Sequence, residues 1–323
     1  MGGRHAAARG HPREGGEGMM TRRTVFGGAL LLAACGSGGS KKLSIAIVTK
    51  ALDSEFWQRL KNGAEAAARA HGDVGLAVLA PEREINIDQQ VAILEDQILK
   101  KVSALAVAPA GVSEVIPVLD KAKAAGIPVL IVDTDVAWPA KLSYIGTDNR
   151  LGGKLAGDCV ARAIGVKGKV AVLRGVLGVA THEDRLAGFR EAVAAHPGIQ
   201  VVTVQPANSE RALGMTVMEN ILTSQPGLSA VFATNDQMAL GAMEAIAALR
   251  RRGIVLVGFD ATKEAVRAVE AGQMHAVVAQ NPEMMGRRAV EEAVKAARGL
   301  PVEARVDTGT TLVTKENAGR FLS

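Results

Sequence analysis

The sequence predicts an α/β protein made of two parallel-sheet lobes, and three observations carry that expectation. Strand-like and helix-like segments alternate from Leu43 to the end of the 323-residue chain. Several strand segments are continuous apolar runs rather than alternating ones, as expected where helices cover both sheet faces. The pattern restarts near residues 144–150, and it holds more strands than one open sheet commonly carries.

In order, residues 43–48 read as a buried strand and 55–71 as a helix, with Ser54 as N-cap and Gly72 as its stop. Strands at 74–79, 104–108 and 127–132 alternate with helices at 86–101 and 113–125, the last ended by Gly126. After the restart, strands are expected at 169–173, 201–204, 230–233, 254–259 and 275–279, with helices between them. Strands that alternate with helices make βαβ units and a parallel sheet. No Pro/Ser-rich linker separates the halves, so short crossing segments should join them.

Apolar residues make up 48 % of the chain, enough for two sizeable cores, while aromatics are only 3 %, so the position of each one carries information. Five arginines against two glutamates give residues 1–34 a charge of +3 out of the formal +5, which leaves about +2 for the remainder. A near-neutral body does not argue for nucleic acid.

The N-terminus reads as an export signal. Arg22 and Arg23 form a positive region, residues 25–34 a short apolar one, and Leu32-Ala33-Ala34-Cys35 matches the lipobox of bacterial lipoproteins. The match implies cleavage before Cys35 and lipidation of its sulfur. The apolar run is shorter than the roughly 20 residues that span a bilayer. A Gly/Ser tether follows it, which a core helix would not have. With Cys35 modified, Cys159 has no partner, so no structural disulfide is expected.

Ligands of open parallel sheets bind beyond the carboxyl ends of the strands. Polar residues abut the apolar runs there: Lys50, with Asp53, Ser54, Phe56 and Trp57 just after, then Asp133, Arg174, Asn235-Asp236, Asp260 and Gln280. A carboxylate accepts hydrogen bonds from two hydroxyls, an amide both donates and accepts, and an aromatic face suits the C–H side of a sugar ring. From the pattern alone, ligand contact and helix N-cap fit Asp133 and Asp260 equally, since helices are expected after both. Adjacent residues of a helix point to different faces, so one of Phe56 and Trp57 can pack into the lobe while the other faces the cleft, and at least one of them is expected at the ligand. His182-Glu183-Asp184 lacks further ligands at metal spacing and reads as a solvated helix start. Arg250-Arg251-Arg252 reads as a helix C-terminus matched to the dipole.

At these residues the chain resembles the periplasmic pentose/hexose-binding proteins of the ribose- and allose-binding type. The matching stretches include residues 50–57, Leu130-Ile131-Val132-Asp133, Gly146-Thr147-Asp148-Asn149, Thr234-Asn235-Asp236, Val257-Gly258-Phe259-Asp260 and 278–282. The resemblance runs from about residue 43 to 314, and the order and spacing of the stretches make it specific. It implies two Rossmann-like lobes joined by a three-segment hinge. Lobe one would be 43–147 plus 281–309 and lobe two 148–280 plus 310–323, behind the 1–34 leader and a 35–42 tether. The hinge would fall at Thr147-Asp148, Gln280-Asn281 and Gly309-Thr310.

The same resemblance implies a monomeric lipoprotein at the cell envelope that serves an ABC permease and binds a sugar or polyol. It implies no enzymatic activity, no cofactor, no metal, and membrane contact only through Cys35. Lys50, Phe56, Trp57, Asp133, Asn235, Asp260 and Gln280 fit the family's ligand contacts. Departures are Ser54-Glu55 for an Asn-Pro, Thr134 for an arginine, Glu183 for another arginine with Arg185 retained nearby, and Ser209 for a stacking phenylalanine. These swaps point away from ribose, toward a hexose, a larger polyol or an amino sugar, unless Trp138 and Lys50 refill the site.

Among competing functions, Asp133-Thr134-Asp135 resembles the D-x-D of metal-dependent sugar transferases, but no phosphate loop or nucleophile elbow accompanies it. A sugar-responsive repressor would need an N-terminal helix-turn-helix, where a lipobox stands instead. A chemoreceptor-partner binding protein differs only in what its closed form docks against.

Full-length protein expressed in a bacterial host should fractionate with membranes, and Cys35→Ser should abolish lipid attachment. A thioether-linked lipid found by mass spectrometry on the Cys35→Ser protein would contradict the leader reading.

Overall fold

Branched and small apolar residues, lacking polar groups to satisfy, form the central strands, and amphipathic helices cover them on both sides. The computed structural model describes residues 42–322. The leader, the lipobox and Cys35 lie outside the described residues.

The first lobe begins with β1 (Leu43–Val48), α1 (Glu55–His71), β2 (Val74–Leu79), α2 (Ile87–Leu99), β3 (Ala104–Val107), α3 (Val112–Ala124), β4 (Val129–Val132) and β5 (Tyr144–Gly146). The second contains α4 (Asn149–Ala163), β6 (Lys167–Arg174), α5 (Ala180–Ala194), β7 (Gly198–Pro206), α6 (Arg211–Ser224), β8 (Leu228–Ala233), α7 (Asp236–Ala248), β9 (Val255–Asp260), α8 (Lys263–Glu270) and β10 (Ala276–Ala279). The chain returns to the first lobe for α9 (Pro282–Ala297) and β11 (Arg305–Asp307), and ends in the second with β12 (Thr311–Val313) and a 3₁₀ turn.

The sheet orders are β11-β5-β4-β3-β1-β2 and β12-β10-β9-β8-β6-β7, so the two lobes repeat one doubly wound topology. Every pair is parallel except β10 with β12. The chain passes between the sheets three times, after β5, after β10 and between β11 and β12.

Each sheet has a core on both faces. Ile45, Ile47 and Leu130 pack under α1 and α9, and Leu105 and Ile131 under α2 and α3. Burying such a side chain is worth about 1.5–3 kcal/mol over leaving it exposed.

Three helix pairs, α1/α9, α4/α5 and α6/α7, approach through reciprocal glycines. A Cβ on Gly63 would stand 2.0 Å from the Glu283 carbonyl oxygen, and one on Gly286 would stand 1.9 Å from that of Leu60. Gly153 and Gly188 face the carbonyls of Arg185 and Arg150 in the same way, and Gly214 and Gly241 lie against the backbones of Met238 and Arg211. In each pair, a glycine meets the residue three before its counterpart. This contact fixes the position of α1, α5 and α7, whose first turns face the cleft.

Several element ends differ from the sequence reading. β1 stops at Val48, two residues before Lys50. β4 starts at Val129 because Pro128 has no N–H for the ladder, although its carbonyl still accepts from Leu105 N. β7 is longer than expected and runs at a sheet edge with a register shift opposite Val170 and Ala171. Ser54 stands at the N-cap position of α1 but makes no side-chain capping bond. α7 ends at Ala248, so Arg250–Arg252 lie past it, and Arg251 ties to the Leu222 carbonyl. Among the described residues no helix is long and apolar enough to cross a membrane.

Gly188→Ala should destabilise the protein by about 1–3 kcal/mol, the usual cost of overpacking. Gly319→Ala, where nothing lies within 4 Å of the added carbon, should stay within about 0.5 kcal/mol. Urea denaturation of both variants checks the contrast, and equal effects would contradict the close-packed helix pairs.

Candidate functional site

The carboxyl ends of the two sheets face each other across a cleft, and the walls leave a small cavity of about 30 Å³ between them. Lobe one contributes Lys50, Ser54, Phe56, Trp57, Glu84 and Asp133. Lobe two contributes Thr181, His182 and Arg185 from α5, Asn235, Asp236 and Gln237 from the start of α7, Asp260 from the end of β9 and Thr262 just beyond it. Gln280, at a crossing between the lobes, completes the wall.

On the lobe-one wall, Phe56 and Trp57 meet edge to face with centroids 4.9 Å apart. Both line the cavity and both belong to the core, so one does not turn inward while the other turns out. Lys50 Nζ lies 3.3 Å from Asp133 Oδ2 and 5.4 Å from the centre of the Trp57 ring. The Trp57 indole N–H donates to Glu84 Oε1 at 3.2 Å.

On the lobe-two wall, Arg185 is almost wholly buried. It donates to Asn149 Oδ1 and the Thr234 carbonyl, both at 2.8 Å, and to Asp260 Oδ1 at 3.4 Å. Its guanidinium stacks on Phe259 at 3.8 Å. Gln280 Nε2 donates to the same Asp260 oxygen at 2.6 Å. Asn235 caps α7 by accepting from Met238 N, and Asp236 Oδ2 accepts from the backbone and hydroxyl of Thr262.

Neither strand-end aspartate is a helix cap. No helix follows Asp133 before β5, and Thr262, not Asp260, holds the N-cap position of α8. Both aspartates adopt left-handed backbone, φ 60° and 104°, which costs energy for non-glycine residues and collects at functional sites.

Three residues expected at the ligand do not line the cavity. Asp53 is exposed at the surface. Thr134 lies beneath the wall and donates to Asp133 Oδ2 at 2.7 Å. Glu183 turns outward to pair with Arg174. Trp138 is also elsewhere, in the core with its indole N–H on Asp120. Asp133 and Asp135 pair with different lysines, Lys50 and Lys141, which separates the D-x-D. Among the described residues no group of three or more His, Cys, Asp or Glu side chains could hold a metal ion.

His182 is the main correction. It is not solvated: its ring is buried between Thr234 Oγ1 at 2.9 Å and Ser209 Oγ at 3.1 Å. Burial, then the charges of Arg185, Lys50 and Arg174, hold it well below the usual histidine range, so it is neutral. Thr181 and His182 precede Arg185 by four and three residues, a spacing that shares one helix face. That signal was present in the sequence.

Four lining residues carry a buried polar atom with no partner in the protein: Thr181 Oγ1, Glu84 Oε2, Asp236 Oδ1 and Gln280 Oε1. Such atoms are rare in folded proteins. Two contacts also cross the cleft directly. Glu55 Oε2 accepts from Lys263 N at 2.9 Å, and Arg83 pairs with Glu210.

The described chain matches the family model for the periplasmic binding protein domain over residues 45–301. It is 34 % identical to the ribose import binding protein of Escherichia coli strain K12 over 293 residues, which covers 91 % of this chain and 98 % of that one. A solved ABC transporter solute-binding protein from Actinobacillus succinogenes, with bound D-allose, superposes with a TM-score of 0.80 at 34 % identity, covering 86 % of this chain and all of that one. A third, from Bacillus halodurans with bound myo-inositol, gives a TM-score of 0.83 at 28 % identity, with 88 % and 99 % covered. The chain belongs to the periplasmic binding protein family. It is a substrate-binding protein of the ABC-importer type and not an enzyme.

Burial raises the Asp260 carboxyl to about 6; Arg185 and Gln280 offset part of the rise, while Asp133 and Glu84 add to it. Burial and then Asp260 itself push Asp236 well above the carboxylate range. The folded protein therefore holds the Asp260 proton more tightly than the unfolded chain does, and this group disfavours folding increasingly as pH rises from 3.8 to about 6. The stability of Asp260→Asn relative to the wild type should rise with pH across that window, by up to about 1.4 kcal/mol per pH unit, and level off above it. Urea melts across the window test this, and a difference that does not change with pH would contradict it.

Proposed function

We propose that this protein captures a sugar or polyol by closing its two lobes around it and presents it to an ABC permease. The carrying observation is the division of the cavity. Phe56, Trp57, Lys50 and Asp133 come from one lobe, and Arg185, Asn235 and Asp260 from the other. A ligand that bonds to both walls stabilises only the closed arrangement, so it shifts the open–closed equilibrium by its differential affinity.

The hinge reading rests on the three passes between the sheets. Asp148 and Asn281 each stand just after a pass and cap the next helix, accepting from Leu151 N at 2.9 Å and Met284 N at 3.1 Å. Thr147 precedes Asp148, and Gln280 adjoins Asn281 while also touching Asp260, so the hinge and the ligand wall share a residue. Lobes of 43–147 plus 281–309 and 148–280 plus 310–323 follow. The protein acts as a monomer, in the periplasm or on the outer face of the cytoplasmic membrane, held there by lipid on Cys35.

The ligand is a hexose or a larger polyol, with an amino sugar as the second reading. Ser209 is occupied by His182, Thr134 by Asp133 and Glu183 by Arg174, so none of the three substitutes for the ring-stacking and arginine contacts that the ribose-binding pattern uses. The buried carboxylates Asp133 and Asp260 favour ligands rich in hydroxyl donors.

Truncating a buried charged partner costs about 2–5 kcal/mol, so Asp260→Ala should weaken binding roughly a hundredfold or more. Calorimetric titration with ribose, allose, galactose, myo-inositol, xylitol and glucosamine identifies the preferred member and measures the loss. An unchanged affinity in Asp260→Ala would refute the two-wall site. Submicromolar ribose binding, with the others weaker, would refute the hexose or polyol assignment.

A further inference from the structure

The loop between β2 and α2 sends adjacent side chains to two different places. Arg83 crosses the cleft to pair with Glu210, just before α6. Glu84 lines the cavity, five residues beyond the end of β2 and away from the strand ends that supply the other lobe-one contacts. One of its oxygens accepts the Trp57 indole N–H, and the other is buried with no partner in the protein.

A buried carboxylate oxygen left unpaired forfeits hydration without compensation. The cations of the cavity have other commitments. Lys50 pairs with Asp133, and Arg185 serves Asn149, Thr234 and Asp260. Glu84 also adds to the negative potential felt by Asp260 on the opposite wall. No donor of the wall reaches this oxygen, so its partner comes from what the cleft encloses. The Arg83–Glu210 pair holds this loop against the second lobe, so Glu84 is fixed in place when the cleft is closed.

We propose that Glu84 is a specificity-determining ligand contact, its free carboxylate oxygen accepting a hydrogen bond from a hydroxyl or ammonium substituent of the bound sugar. The inference rests on the reading that the cavity holds a sugar. It assigns Glu84 a task beyond positioning Trp57.

The test is titration of wild type and Glu84→Gln with the six compounds named above, followed by analogues of the tightest binder that each lack one hydroxyl or the amine. In Glu84→Gln the amide oxygen still serves the indole, which turns the NH₂ toward the ligand donor. Affinity for the tightest binder should fall roughly ten- to hundredfold, with the melting temperature unchanged. The loss should vanish for the one analogue lacking the group that Glu84 holds. A hydroxyl-deleted analogue would identify a polyol contact, and 2-deoxyglucose in place of glucosamine an ammonium one. The same analogue dependence should persist in a Trp57→Phe background, where the indole N–H is gone. A loss equal across all analogues would mean that Glu84 only positions Trp57, and no loss would mean that it does not touch the ligand; either overturns the inference. If the wild type binds none of the six, the sugar reading itself fails first.

Discussion

A full positive charge sits at Arg185 with 3 % of the residue exposed to water, and groups from three other segments of the second lobe keep it there. Desolvating a guanidinium costs several kcal/mol unless its donors are satisfied. Here Asn149 from the first crossing, the Thr234 carbonyl at the end of β8 and Asp260 at the end of β9 each take a bond, while Phe259 covers one face of the group. Four segments distant in sequence are thereby held in register at one point. Replacing Arg185 would leave Asp260 buried without its nearest counter-charge. The backbone of Arg185 is fixed as well, because its carbonyl lies against Gly153 of α4. Close helix packing and ligand geometry thus meet in one residue.

The first lobe solves the same problem with a smaller cation. Lys50 is buried against Asp133 and near the Trp57 ring, and Thr134 and the left-handed backbone at Asp133 hold that carboxylate at the carboxyl end of β4. Each wall therefore pairs a carboxylate with a cation and sets an aromatic ring behind it. When the walls come together, burial raises the Asp260 carboxyl, and the Asp133 carboxylate across the cleft adds a smaller repulsion. Hydroxyl donors between them relieve that repulsion, so the ligand supplies part of the energy that holds the lobes closed. Glu55 and Arg83 add bonds across the cleft that need no ligand, and the balance between the two sets decides how far closure depends on binding.

Much of the fold was legible because its signals are local. Apolar runs marked the strands, the glycines after α1 and α3 marked helix ends, and Pro128 explains why β4 starts two residues later than expected. The cavity residues at strand ends, Lys50, Asp133, Asn235, Asp260 and Gln280, were legible for the same reason, since topology alone brings strand ends together. Asp53, Thr134 and Glu183 were misplaced because adjacent residues on a turn or helix point in different directions, and proximity in sequence does not decide which one faces the cleft. His182 could have been placed by its three-residue offset from Arg185. Glu84 could not, because the path of an irregular loop is set by contacts such as Arg83 with Glu210 that no periodicity records.

Ligand binding and lobe closure are one event in this reading, because the residues that line the cavity are divided between the lobes. Small-angle scattering of the mature protein, with and without a saturating concentration of its tightest-binding sugar, tests this directly. The radius of gyration should fall with the sugar present, as an open population is drawn into the closed form. A radius that stays the same while calorimetry shows the site filled would contradict it.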